Sequence, residues 1–291
     1  MNRRRFYNLT LLAAGLVSLG AQTVSADGPY YGGPRNRNRI PRGYLQRMPR
    51  NAINPRILGG TPVGNQDPVA ASTVAIQIQM RGGTALCSGS LIEQDIIVTA
   101  AHCVSPNTSA MQIIFGQDIN QAVAKVPVVG AIKNPIYRGL RSKGVDQGDI
   151  AVLRIAAPLP PGFHAAQPMP QGQALQSGQP VMLAGFGITD ATTHAGAGVL
   201  RKVIVRIDQP KLGNTEVILD QTHGQGACHG DSGGPAFIQG PNGAPLLFGV
   251  TNRGYPDSAP DDCAHEAVYT NILAYTDFIQ KSIAQLHGAR N

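Results

Sequence analysis

Short apolar segments separated by polar turns dominate the chain from Ile57 onward. Residues 75–80 and 203–207 alternate apolar and polar side chains with period two, which is typical of strands with one buried face. Five further apolar runs have the length of strands, and they cover residues 96–98, 112–115, 150–155, 181–184 and 246–250. This pattern predicts a protein built largely from short β-strands.

Only one segment has a convincing helical period, and it lies near the C-terminal end. Residues 272–286 carry apolar side chains at intervals of three or four, as a helix with one buried face requires. Many strands and a single terminal helix predict an all-β protein. The proline-rich residues 159–173 are predicted to be a crossover linker, and about 235 residues from Ile57 onward suffice for two cores.

The net charge of +7 is distributed unevenly along the chain. Residues 1–56 hold ten arginines and a single acid, Asp27, whereas the remainder holds 14 basic and 16 acidic residues. The positive charge therefore belongs to the leader. A nucleic-acid partner is not expected, because the predicted globular part has no basic excess.

The first 26 residues have the order of an export signal. Three arginines at positions 3–5 precede an apolar run over 9–21 and the small residues of 24–26. The run is too short for a good membrane span, so we expect a secreted or periplasmic protein without a stable membrane anchor. Arg3-Arg4-Arg5-Phe6 also fits a twin-arginine pattern, which leaves the export route open.

Residues 27–56 are rich in Arg, Asn, Pro and Gly and lack apolar periodicity, so they are predicted to be disordered. The segment could be a propeptide or a plain secreted linker. We favour a propeptide because it ends at Arg56, immediately before Ile57.

The four cysteines of an exported chain indicate two disulfides. The sequence alone allows three pairings. Free thiols or a metal site are less favoured, because no Cys-x-x-Cys spacing occurs.

Three motifs carry the candidate chemistry. They are Thr99-Ala100-Ala101-His102-Cys103, Gly148-Asp149-Ile150-Ala151-Val152-Leu153 and Gly230-Asp231-Ser232-Gly233-Gly234-Pro235. A serine hydroxyl becomes a nucleophile when a histidine removes its proton, and an acid holds that histidine in place. Ser232, His102 and Asp149 are the candidates. Asp146 competes for the acid's role, and a turn serine is the ordinary alternative for Ser232.

Four more motifs occur in a consistent order with these three. They are Arg56-Ile57-Leu58-Gly59-Gly60, Cys87-Ser88-Gly89-Ser90-Leu91-Ile92, Gly185-Phe186-Gly187 and Val268-Tyr269-Thr270-Asn271. Together the motifs resemble those of the chymotrypsin/trypsin family of serine endopeptidases, and in particular a bacterial-type secreted member with two disulfides. The resemblance runs from Arg56 to the end of the chain.

The resemblance implies two antiparallel six-stranded β-barrels and a C-terminal helix. Residues 57–165 would form the first barrel, with His102 and Asp149, and residues 166–291 the second, with Ser232. It also implies the disulfides Cys87–Cys103 and Cys228–Cys263. The N–H groups of Gly230 and Ser232 would form the oxyanion hole.

By the same resemblance, the chain is a zymogen. A trypsin-like protease would cut after Arg56, and the new ammonium group of Ile57 would pair with Asp231. This ion pair would order the loop that carries the oxyanion hole.

The resemblance further places Gly226 at the floor of the substrate pocket, where trypsin carries an aspartate. The other expected pocket residues are Ala227, His229, Asn252, Arg253, Gly254 and Ala267. A floor without charge favours an uncharged P1 residue, the residue before the scissile bond, because a buried cation would lack a partner. Glu266, Asp261 and Asp262 are alternative cation partners. Arg253 stands where the family often has tryptophan. It could favour acidic or polar residues at P2 or P3, the second and third residues before the scissile bond, or point to solvent.

We therefore expect a secreted serine endopeptidase that acts as a monomer on proteins or peptides and needs no cofactor. No metal is expected either, because residues 116–125, the counterpart of the family's calcium loop, offer Asp118 as their only carboxylate. A catalytically silent homologue that serves as a binding module is the main alternative. An esterase of another fold is the second.

Overall fold

A computed structural model describes residues 57–139, 144–156, 158–260 and 262–288. Within these ranges the chain forms two β-barrels followed by one α-helix. The predicted export signal and propeptide lie outside the described residues, as do Arg56 and Asp261.

The first barrel closes from six antiparallel strands in the order β2-β3-β4-β7-β6-β5. The strands up to this point in the chain are β1 (Thr61–Pro62), β2 (Thr73–Met80), β3 (Gly83–Leu91), β4 (Ile96–Thr99), β5 (Thr108–Phe115), β6 (Ala124–Lys133) and β7 (Ala151–Ile155). In β2 the alternating side chains of Val74, Ile76 and Ile78 are buried in the core. The predicted period-two pattern thus corresponds to an inward face.

The second barrel also has six antiparallel strands, in the order β10-β11-β14-β13-β12-β9, and pairing of β9 with β10 closes it. The remaining strands are β8 (Gln167–Pro168), β9 (Pro180–Gly185), β10 (Arg201–Leu212), β11 (Glu216–Asp220), β12 (Pro235–Gln239), β13 (Pro245–Tyr255) and β14 (Glu266–Asn271). β1 pairs with β10, and β8 pairs in parallel with β13. The fold class expected from the sequence is confirmed.

The C-terminal helix closes the described chain. Residues Ile272–Tyr275 form a 3₁₀ turn, and α1 follows over Thr276–Gly288. The side chain of Asn271 caps the turn by accepting from the Leu273 N–H at 3.0 Å. The helical period over residues 272–286 therefore indicated the right segment, although its first turn is 3₁₀. None of the helices among the described residues is long and apolar enough to cross a membrane.

The sequence analysis did not predict strand β6. Its sequence contains Pro127 and Gly130, which weaken any strand signal. The structure explains Gly130, because a Cβ there would lie 2.6 Å from the Leu286 side chain of α1. The predicted linker over residues 159–173 also differs, since it contains β8.

Both disulfides join the pairs that the family resemblance implied. Cys87–Cys103 links β3 to the segment after β4, and Cys228–Cys263 links the segments before β12 and β14. Each bridge therefore fixes a loop next to one of the chemical motifs.

Asp146 does not compete for the acid's role, because it joins two loops. Its carboxylate accepts hydrogen bonds from the N–H groups of Asn214, at 2.7 Å, and Thr215, at 2.8 Å, and from the Thr215 hydroxyl at 2.8 Å. Partial burial opposes the charge of Asp146, but the bonds with Thr215 and Asn214 outweigh it and lower the pKa of this carboxyl.

We expect Asp146→Asn to lower the free energy of unfolding by about 1 kcal/mol at pH 7, because an amide cannot accept all three hydrogen bonds. A lowered pKa stabilises the fold above the unfolded-state pKa, near 3.9, and the contribution is lost as pH falls through the folded-state value. The difference from wild type should therefore disappear in acid. Urea unfolding from pH 7 to pH 2 measures it.

The matched control is Asp208→Asn, because Asp208 is exposed on β10. An equal loss in both variants, or a loss for Asp146→Asn that persists at pH 2, would contradict the assignment.

Candidate active site

His102 and Asp149 meet where β4 and β7 run side by side. Thr99 pairs with Ala151 in that ladder, so the residues just after β4 lie against the residues just before β7. Asp149 Oδ1 accepts from the His102 backbone N–H at 2.9 Å, and Oδ2 lies 2.7 Å from His102 Nδ1. Asp149 is fully buried, and this contact assigns the proton to Nδ1 and leaves Nε2 as the basic nitrogen.

Ser232 and His102 line one cleft of about 650 Å³. Backbone hydrogen bonds fix the serine segment, since the Ser232 carbonyl accepts from the Ser88 N–H at 2.8 Å. The next N–H, that of Gly233, donates to the Thr251 carbonyl at 2.9 Å. The nucleophile candidate is therefore tied to both barrels, through β3 and β13.

Gly230 has a backbone conformation that suits glycine. Its φ is +95°, and a Cβ there would lie 2.9 Å from the Gly187 Cα. Its carbonyl accepts from the Ser88 hydroxyl at 2.9 Å. Within the described residues, neither the Gly230 nor the Ser232 N–H donates to an internal acceptor. Two backbone donors are thus available to a ligand beside Ser232.

Asp231 is a second buried acid, and it points away from the cleft. Its carboxylate accepts from the N–H groups of Gly187, at 2.8 Å, and Cys228, at 2.9 Å. It also occupies the space that a side chain at Gly185, the strand partner of Arg201, would fill. Burial raises the pKa of Asp231 to about 7, against the lowering effect of the two backbone bonds and of the Arg201 charge.

Ile57 lies in the core of the second barrel, with 1% of its surface exposed. The next residue, Leu58, accepts at its carbonyl from the Gly226 N–H at 2.9 Å. Ile57 has a φ of +47°, a genuine outlier for a β-branched residue.

The cleft brings together most of the predicted pocket residues. Those that line it are Ala227, His229, Asn252, Arg253, Gly254 and Ala267. Gly226 does not line the cleft, because the Gln221 side chain lies against it and occupies the space beyond its Cα.

Gln221 lines the cleft and is one of the residues there that the sequence analysis missed. It is 2% exposed, its Oε1 accepts from the Ala227 N–H at 2.7 Å, and its Nε2 donates to the Ala227 carbonyl at 3.2 Å. The amide therefore forms a neutral polar surface whose two ends already have partners. A glutamine in a turn sequence carries no signal for this position.

Arg253 does not point to solvent. Its guanidinium donates to both carboxylate oxygens of Glu216, at 2.9 and 3.0 Å, and to the Gly144 carbonyl at 2.9 Å. Asp257 lies 3.5 Å away. Because carboxylates already neutralise this charge, Arg253 is poorly suited to attract acidic substrate residues. Glu216, which holds Arg253, is also missing from the sequence analysis.

The three alternative cation partners lie in different places. Glu266 lines the cleft. Asp262 is held within its own loop, where it accepts from the Ala264 N–H at 3.0 Å and lies 3.5 Å from His265. Asp261 falls outside the described residues. Among these three, Glu266 is the one that the described residues place at the cleft.

Metal ligation has little support in the described residues. Asp118 caps a short turn by accepting from the Asn120 N–H at 2.8 Å. Glu93, Asp95 and His287 cluster away from the cleft, but Arg154 donates to Asp95 at 3.0 Å. The other two clusters contain disulfide sulfurs.

Two β-barrels with a histidine–aspartate pair and a serine facing one cleft are the architecture of chymotrypsin-like serine proteases. The family model described as Trypsin matches residues 62–279, and the chain belongs to the trypsin family.

Named relatives agree with this assignment. The chain is 25% identical to trypsin of Sus scrofa over 229 residues, which are 74% of this chain and 93% of that protein. It is 26% identical to brachyurin of Leptuca pugilator, over 67% of this chain and 86% of that one. Chymotrypsin-like elastase family member 1 of Macaca fascicularis is 27% identical, over 79% and 91% of the two chains.

Solved structures match the fold at lower identity. Neuropsin, a serine protease expressed in the limbic system of mouse brain, superposes with a TM-score of 0.63 at 22% identity, over 78% of this chain and all of that one. HL collagenase superposes with a TM-score of 0.64 at 19% identity, over 78% and 99% of the two chains.

Proposed function

We propose that the protein is an exported serine endopeptidase that cleaves peptide bonds through an acyl-enzyme on Ser232. One observation carries this proposal. His102, bound to the buried Asp149, shares a cleft with Ser232, beside which two backbone N–H groups lack acceptors within the described part of the chain. Proteins and peptides are the proposed substrates, and the two disulfides suit an oxidising compartment.

The chemistry follows from these positions. Ser232 Oγ attacks the scissile carbonyl carbon while His102 Nε2 takes its proton, and the negative oxygen binds the Gly230 and Ser232 N–H groups. His102 then gives the proton to the leaving amine. Water, deprotonated by the same nitrogen, attacks the acyl carbon. The ester bond to Ser232 then breaks, and His102 returns the proton to Ser232 Oγ as the acid product leaves. Asp149 stays ionised and stabilises the imidazolium.

We expect Ser232→Ala and His102→Ala each to lower kcat by about 10⁴-fold or more, because the three side chains act as a unit. A fluorescent peptide library measures turnover. In the same experiment, a serine-directed phosphonate should label Ser232 in the wild type and leave the alanine variant unlabelled.

Absence of label on correctly cut, folded wild-type protein would contradict the proposal and favour the alternative, a catalytically silent binding module. A variant that retained more than about a hundredth of the wild-type kcat would refute the assigned roles.

We further propose that the protein is made as a zymogen and activated by a cut after Arg56. Asp231, with its pKa raised to about 7 by burial, would gain a cationic partner in a new ammonium group at Ile57. The left-handed φ of Ile57 adds a second argument. Such strain costs about 1–3 kcal/mol, and the cut removes it because the terminal residue no longer has a φ angle.

The chain extending from Asp27 should be nearly inactive, and cutting after Arg56 should switch it on. Asp231→Asn should prevent the switch, because the amide cannot form an ion pair with the ammonium group. Terminal sequencing and phosphonate labelling, carried out before and after the cut, measure both effects. Full activity in protein whose first residue is shown to be Asp27 would contradict the zymogen proposal.

For specificity, we propose uncharged P1 residues such as Leu, Met, Phe or Tyr. Support comes from the neutral surface of Gln221 and Ala227, which offers no carboxylate to a buried cation. An enzyme with this preference cannot cut its own Arg56–Ile57 bond efficiently. A separate trypsin-like protease is therefore the proposed activator, and the active species is proposed to be a monomer.

Concentrated precursor incubated alone should keep its propeptide, whereas a trace of trypsin should remove it. The Ser232→Ala precursor is the matched control, because it cannot process itself. If the intact precursor cuts itself after Arg56 and the control does not, the assigned preference is wrong, and Glu266 becomes the cation partner to test.

A further inference from the structure

Arg253 and Glu216 form an ion pair beside the cleft with very little exposed surface. The side chains of Arg253 and Glu216 are 13% and 1% exposed, and the guanidinium meets both carboxylate oxygens. Glu216 begins β11 and Arg253 belongs to β13, with β14 between them. Burying two charges is expensive even when they are paired, and this pair lies against neighbouring polar groups whose orientation it can fix.

Asn252, the residue immediately before Arg253, lies in a β-bulge of β13. Thr251 pairs with Tyr269 and Arg253 pairs with Val268, so Asn252 is an extra residue with no partner of its own in the ladder. A bulge changes the direction of a side chain. Here the Asn252 amide lies between two charged groups. Its Oδ1 accepts from Arg253 Nη1 at 3.1 Å, and its Nδ2 donates to Asp149 Oδ2 at 2.9 Å.

The two charged groups select one orientation of this amide. A guanidinium can only donate and an ionised carboxylate can only accept, so the reverse orientation would place donor against donor and acceptor against acceptor. The Thr270 hydroxyl lies 3.2 Å from the Asn252 oxygen, but it directs its single hydrogen to the Asp149 backbone carbonyl at 3.0 Å. This one neutral contact is outweighed by the two charged groups, whose hydrogen bonds are stronger. Arg253 supplies the fixed donor on the side away from Asp149.

We propose that Arg253, held by Glu216, is a positioning residue that keeps the Asn252 amide directed at Asp149. The acceptor of that amide, Asp149 Oδ2, is also the oxygen that meets His102 Nδ1 at 2.7 Å. A fixed third donor keeps the carboxylate plane aligned with the imidazole. The catalytic consequence rests on the proposed function, whereas the orientation of the amide does not.

The test uses the full chain cut after Arg56 and the variant Arg253→Met/Glu216→Gln. Replacing both partners avoids a buried carboxylate without a cation, which Arg253→Met alone would leave. We expect kcat to fall about ten-fold, the order of a lost hydrogen bond to a charged group. Because Arg253 also lines the cleft, KM alone cannot separate positioning from substrate contact.

A double-mutant cycle separates these effects. In an Asn252→Ala background, the same pair of substitutions should change kcat less than about two-fold, because the group that Arg253 positions is gone. An equal loss of kcat in both backgrounds would overturn the proposal. Arg154→Met removes a second buried arginine, outside the cleft, and should leave the kcat of folded protein within about two-fold of wild type.

A measurement independent of catalysis follows the amide itself. The side-chain amide signal of Asn252 in an NMR spectrum is identified by its loss in Asn252→Ala. We expect its hydrogen exchange to be at least about ten-fold faster in Arg253→Met/Glu216→Gln than in wild type, and unchanged exchange would overturn the proposal. If phosphonate fails to label wild-type Ser232 while exchange behaves as expected, the proposed function fails and the positioning of the amide stands.

Discussion

The carboxylate of Asp149 has no exposed surface, and most of the site is arranged to satisfy it. An isolated buried charge is far too costly to persist, so donors must surround it. The first barrel supplies the N–H and Nδ1 of His102, and the second supplies the Asn252 amide. The Thr270 hydroxyl also donates to the backbone carbonyl of Asp149 at 3.0 Å. Separating the barrels would expose this carboxylate to water or leave it without donors, so one electrostatic requirement joins the two halves.

Asp231 meets the same cost of burial in a different way. Its donors are backbone N–H groups, and the positive charge of Arg201 also favours its ionised form, yet its pKa stays near 7. Burial thus opposes the ionised form of this carboxyl, and a cation placed beside it would favour that form. The same loop carries Gly230 and Ser232, whose N–H groups have no acceptor within the described residues. A change in the charge around Asp231 thus acts directly on the backbone that would bind an oxyanion.

The residue pattern was sufficient for an all-β fold and for the position of the terminal helix, whereas the two barrels and the pairing of the cysteines came from the family resemblance of the motifs. Period-two alternation found β2 and β10 because one face of each is buried. Strand β6 was not predicted, because Pro127 and Gly130 break the alternating pattern. Gly130 is required by the Leu286 side chain of α1, which lies more than 150 residues further along the chain. The Arg253–Glu216 ion pair was not predicted either, because it too is a contact between residues far apart in the sequence. Its members are 37 residues apart on different strands, and no local pattern reports such a contact.

The contact between Gln221 and Gly226 restricts how this pocket can evolve. A side chain at position 226 would collide with Gln221, while loss of Gln221 alone would remove the hydrogen-bond partner of the buried Ala227 N–H. Each single step toward a charged floor is therefore expected to destabilise the pocket before the second step can compensate. This dependence of each change on the other is sign epistasis, and it separates neutral from cation-selecting pockets by unfavourable single-substitution intermediates. Lineages that carry this glutamine are therefore expected to diversify first at the rim of the cleft.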